Sequence, residues 1–136
     1  MSETSEFQVV VSAGTLRSAN GVSMPHRWTP GGVVVDAEFT GAHLYHLAAA
    51  GCVLNDVYRE AEHLGLSIAG VRVRASGAFD SSQWVSTGVE YEVDIDSGAG
   101  DDDIAHLLAV VDDVAEIPKA LRSGTTVRRR GGRRAD

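Results

Sequence analysis

The sequence predicts an α+β fold, an antiparallel sheet packed on helices, and three observations carry the prediction. Strand-like runs come as three, then two, then one, with helix-like stretches between the groups. The longest of those stretches, Ala42 to Leu64, has no Pro and one Gly, Gly51, and is apolar nearly all round in its first half. The two runs after it alternate between apolar and charged residues, as in a sheet with one packed and one wet face.

Phe7 to Ser12 is β-branched and reads as the first strand. Asn20-Gly21 signals a turn. Val22 to Trp28 is a return strand that Pro25 restricts to a sheet edge. Thr29 to Gly32 is a loop, and Val33 to Glu38 a third strand. In the helix that follows, Leu44 and Leu47 to Leu54 make the surface apolar nearly all round, so protein wraps it on most sides. Further along, Asp56, Arg59, Glu60 and His63 form a polar stripe, with Val57, Tyr58, Ala61 and Leu64 inward. Gly65 stands where a C-cap glycine belongs. Gly51 costs about 1 kcal/mol of helix propensity and marks close approach by another element.

Next, Val71, Val73 and Ala75 alternate with Arg72 and Arg74, while Val89, Tyr91, Val93 and Ile95 alternate with Glu90, Glu92, Asp94 and Asp96. If these strands pair, the arginines face acids, each pair worth roughly 0.2–1 kcal/mol. Otherwise the acidic row is a solvated face. Asp101, Asp102 and Asp103 cap a second helix, whose apolar face is Ile104, Leu107, Leu108, Val111, Val114 and Ala115. Pro118 starts or kinks a short further segment to Leu121, and Thr125 to Val127 is a last strand. Residues 1–127 read as one domain, and 128–136, with five arginines, as a disordered basic tail.

Composition narrows the function. A net charge of −7 over 136 residues disfavours nucleic acid and anionic membranes as partners. No apolar run is long enough for a bilayer span. The start, Met1 to Glu6, lacks the basic and apolar regions of a secretory signal. With a single cysteine, Cys52, no disulfide forms within the chain, and a reducing cytoplasm is the expected compartment.

The Ala-rich, Cys-bearing helix from Leu44 to Gly65, followed directly by Gly70-Val-Arg-Val-Arg74, resembles the OsmC-like superfamily, which includes the organic hydroperoxide resistance proteins. So does the ending Val111 to Arg122. The resemblance spans roughly Phe7 to Val127. It implies an intertwined homodimer, with antiparallel sheets wrapped around long central helices that cross. It also implies a thiol peroxidase, in which the central-helix thiolate attacks a hydroperoxide and a second cysteine closes a disulfide. A glutamate and an arginine near the thiol help. Here the second-cysteine position falls on Ala115 and the glutamate position on Ala42, beside His43. Arg17 is the closest match for the arginine, with Arg27 second.

Cys52 is therefore either a small buried hydrophobe or a nucleophile activated by a nearby cation. Arg17 and His43 are its candidate catalytic partners; Tyr45, His46, Asn55, Asp56 and Trp28 are candidates for substrate binding. His43 and His46, three apart, are too few for a zinc site, so no metal or cofactor is expected. The expected activity is reduction of a hydroperoxide or another small electrophile at Cys52, resolved by an external thiol. Two alternatives stand beside it: a family member that binds an apolar small molecule without redox chemistry, and an enzyme using His43 or His46 as general base.

Overall fold

The computed structural model describes residues 4–135. In chain order the elements are β1 (Thr4–Gly14), β2 (Val22–Met24), β3 (Val33–Asp36), α1 (Gly41–Leu64), β4 (Gly70–Asp80), β5 (Ser86–Asp96), α2 (Asp101–Val114), α3 (Glu116–Leu121) and β6 (Val127–Arg134). One six-stranded sheet runs β2-β3-β1-β4-β5-β6. Every pairing is antiparallel except β5 with β6. The helical passage through α2 and α3 returns the chain in the same direction, which makes that last pair parallel.

Alternation along the central strands sets the core. Val11 pairs with Val73 and Val73 with Val93, and all three are almost wholly buried. Val53, Leu54, Val57 and Ala61 of α1 belong to the same core, each such Val or Leu contributing about 1.5–3 kcal/mol of burial. Thr40 caps α1 by accepting a hydrogen bond from the His43 amide at 3.1 Å. Gly65 ends the helix with φ of 71°, the left-handed conformation expected of it.

The opposite face of the sheet is a charge ladder. Arg72 pairs with Asp94 at 2.6 Å and Arg74 with Glu92 at 2.9 Å. On the other side of β5, Arg128 pairs with Glu90, and Arg130 with both Glu90 and Glu92. This corrects two expectations: Arg128 to Arg134, read as part of a disordered tail, lie in β6, and the acidic row is covered rather than simply solvated. In register, Arg128 stands opposite Glu90 and Arg133 opposite Asp94, with Arg129 opposite Tyr91. Gly131, at φ of 128°, allows the register shift along the pair.

Other expectations shift locally. Asp56 is buried rather than part of an exposed stripe, and Leu64 is 40% exposed rather than inward. Among the described residues nothing lies within 4 Å of a Cβ added at Gly51, so no close approach by another element accounts for it. Pro25 does end β2, which is the sheet edge, after three residues.

Candidate functional site

Two helices build the surroundings of the sulfur. Cys52, Asp56 and Arg59 are spaced i, i+4 and i+7 along α1 and so share a face. Against that face α3 brings Glu116. The break at Ala115, whose ψ is 120°, turns the chain out of α2 and starts the new helix. Arg122 at the end of α3 donates to the Val127 carbonyl at 3.1 Å and to Asp112 Oδ1 at 3.1 Å. Tyr91 donates to that same oxygen. This network pins α3 and thereby Glu116.

Cys52 is 8% exposed, and its Sγ donates to Glu116 Oε2 at 3.5 Å. Arg59 Nη1 holds the other oxygen, Oε1, at 3.0 Å. Arg59 Nη2 lies 3.1 Å from Asp56 Oδ2, and its Nε 3.2 Å from Glu60. The arrangement reads thiol, carboxylate, guanidinium, with a second carboxylate buried beneath.

The electrostatics follow from burial and sign. Desolvation raises the Cys52 thiol to about 11; Asp56 and Glu116 push the same way, and a hydrogen bond with the Ile117 backbone opposes them. Burial also lifts Asp56 to about 6, against the pull of Arg59. Glu116 moves the other way, held below its usual range chiefly by the Arg59 hydrogen bond. At neutral pH the sulfur is a protonated donor facing an ionised acceptor. Cys52 Sγ and the carboxylates of Asp56 and Glu116 offer ligand atoms within 4.8 Å of one another.

The residues named from sequence fall in three places. Cys52 and Asp56 are in this cluster. Trp28 and Asn55 line a separate groove of about 340 Å³, with Leu47, Gly51 and Leu54 on its wall. There Asn55 Oδ1 meets His26 Nε2 at 2.9 Å, and the His26 ring packs against Trp28. His43, Tyr45 and His46 sit at the start of α1 among the rings of Phe7 and Phe79. His43 is engaged by Thr40 at 2.6 Å and lies 3.4 Å from Glu38. His46 is fully buried, its Nδ1 bonded to the Ala42 carbonyl at 2.8 Å, and burial lowers its pKa. Arg17 donates to the Gly31 carbonyl at 2.7 Å, and Arg27 lies over Trp28.

The carboxylate beside the sulfur is Glu116, and Arg59 joins the cluster through that carboxylate; the sequence reading selects neither. Arg59 carried a signal, two turns after Cys52 on one face. Glu116 carried a fainter one, the residue directly after the Ala115 position.

Among curated proteins no sequence match was found. Solved structures share the fold. An OsmC-like protein from Mycoplasma pneumoniae superposes with a TM-score of 0.63 at 13% identity, covering 71% of this chain and 72% of that one. A Legionella pneumophila structure gives 0.60 at 14% identity, covering 83% and 96%. It is described as an organic hydroperoxide resistance protein OsmC, predicted redox protein and regulator of sulfide bond formation. The sequence profile of the OsmC-like protein family matches residues 35–129, which include α1 with Cys52 and α3 with Glu116, and the chain belongs to that family.

Proposed function

We propose that the protein is a one-cysteine thiol reductase acting on an organic hydroperoxide or comparable small electrophile at Cys52. The observation that carries this reading is the Cys52–Glu116–Arg59 chain, with Sγ 3.5 Å from one oxygen of Glu116 and Arg59 fixing the other at 3.0 Å. Attack of sulfur on the distal peroxide oxygen forms the S–O bond and breaks the O–O bond. The thiol proton passes through Glu116 to the departing alkoxide, giving a sulfenic acid and an alcohol. Glu116 alone is a weak base for so high a thiol, so the transfer must be concerted with O–O cleavage. An external thiol then condenses with the sulfenic acid, releasing water, and a second thiol frees Cys52. Such a cycle needs a reducing compartment, the cytoplasm.

The reading includes a homodimer. Leu44 is exposed on α1, and Gly51 has open space above it, so the outer face of the helix is free for a second copy. Mass measurement by sedimentation tests this: a 14.4 kDa particle alone rejects it.

A second reading, apolar ligand binding without redox chemistry, is favoured by the raised thiol pKa and by the groove beside Gly51. A sulfenic-acid probe applied with and without an organic hydroperoxide separates the two. Hydroperoxide-dependent labelling of Cys52 supports the reductase; an unlabelled thiol and no peroxide consumption support the binding protein.

A further inference from the structure

We propose that Cys52, Asp56 and Glu116 form a binding site for a divalent metal ion of the zinc class, with Arg59 standing behind the Glu116 carboxylate. The inference goes beyond thiol chemistry and does not require it.

Three observations point there. First, the ligand atoms are already gathered within 4.8 Å of one another, from two helices. The Sγ to Oε2 separation of 3.5 Å is close to a tetrahedral edge: zinc bonds of about 2.3 Å to sulfur and about 2.0–2.2 Å to oxygen place the two roughly 3.5 Å apart. Second, Asp56 is 1% exposed, yet its Oδ2 receives no hydrogen bond. Arg59 Nη2 lies 3.1 Å away as an ion-pair partner, but not in hydrogen-bond alignment. A buried carboxylate oxygen that has an ion-pair partner but no hydrogen bond is costly, and a bond to a metal ion would satisfy it. Third, a divalent ion relieves the excess charge. With the Glu60 carboxylate on Arg59 Nε counted, the cluster carries two negative charges in excess without the metal and one with the thiolate and metal in place.

Binding forms a metal–sulfur bond and releases the Cys52 proton to solvent, with no change of oxidation state. Arg59 stays on the outer oxygen of Glu116, Oε1, orienting the carboxylate as groups behind a metal ligand do. Water fills the fourth position, as in sites with three protein ligands. The mixed sulfur and oxygen set suits zinc or cobalt better than magnesium or calcium, which take oxygen alone.

The test is titration of the metal-free, untagged full chain with Co²⁺, read by the sulfur-to-cobalt charge-transfer band and by displacement with Zn²⁺. One Co²⁺ per chain is expected, with the band present in the wild type and absent in Cys52→Ser. Glu116→Gln and Asp56→Asn are each expected to weaken binding roughly tenfold or more, the loss that removal of even a supporting group causes. Circular dichroism checks the fold of each variant. Should Asp56→Asn misfold, Glu116→Gln decides alone, because its side chain is largely exposed. No charge-transfer band in the wild type overturns the proposal. So does a band whose affinity is unchanged in Glu116→Gln.

Discussion

Glu116 accepts a hydrogen bond from Cys52 across 64 residues of chain, and it does so from the position immediately after Ala115. The segment that carries no second sulfur therefore still delivers a reactive group to the first one. A carboxylate there changes the chemistry: it accepts the thiol proton but opposes a free thiolate, because two negative charges meet in a poorly solvated place.

Asp56 makes the pH dependence of stability testable. Its folded pKa, about 6, is raised from 3.8. The folded state holds the proton more tightly, so this group's contribution is full below the unfolded value and is lost as pH rises through about 6. The loss is on the order of 3 kcal/mol at most. Urea unfolding at pH 4, 5, 6 and 7 is expected to show Asp56→Asn gaining on the wild type across that window. A constant difference between the two proteins contradicts the burial argument.

The last strand is tested by charge. Arg128→Glu puts a like charge opposite Glu90 and is expected to cost about 1 kcal/mol or less, given the exposure of the pair. Glu90→Arg in the same chain restores it. Deleting residues 128–136 is expected to cost much more, since it uncovers the β5 edge and the Leu108 side chain against Gly132. Equal stability of the truncated chain means the strand contributes nothing.

Two glycines separate packing within the chain from packing between chains. At Gly77 an added Cβ comes within 2.5 Å of His46 Nε2 and 2.3 Å of the Gly88 carbonyl, so Gly77→Ala is expected to destabilise by about 1–3 kcal/mol. At Gly51 nothing lies within 4 Å, and alanine gains about 1 kcal/mol of helix propensity. If two copies meet there, Gly51→Leu instead shifts sedimentation toward the monomer. A dimer unaffected by Gly51→Leu moves the interface elsewhere.

Thr40 to Gly65 reads directly as a capped helix, and the Arg72/Arg74 alternation finds its acidic partners, because both patterns are local. Arg128 to Arg134 reads as disordered from the sequence because its composition alone resembles a disordered segment. Its order comes from pairing along β5, where Arg128 and Arg133 meet Glu90 and Asp94, which is a tertiary fact. Asp56 looked like surface because its neighbours in the stripe are charged; α3 covers it, and where α3 lands is not written in the α1 sequence. Glu116 was missed for the same reason. The resemblance points to Arg17, but the Gly31 carbonyl takes up its guanidinium.

The thiol itself sets the last two predictions. With a pKa of about 11, Cys52 alkylation by iodoacetamide is expected to rise about tenfold per pH unit between pH 7 and 10. A plateau near pH 8 means a cation reaches the sulfur.

The most direct measurement compares Glu116→Gln with the wild type in two reactions at pH 7.5: iodoacetamide alkylation, which needs only thiolate, and sulfenic-acid formation with an organic hydroperoxide. Removing the carboxylate eases ionisation, so alkylation is expected to rise, by about tenfold for each unit the thiol pKa falls. Loss of the proton route is expected to slow the peroxide reaction by about a hundredfold. Rates that move together, in either direction, contradict a proton-transferring role for Glu116 and leave it an electrostatic neighbour of an ordinary buried thiol.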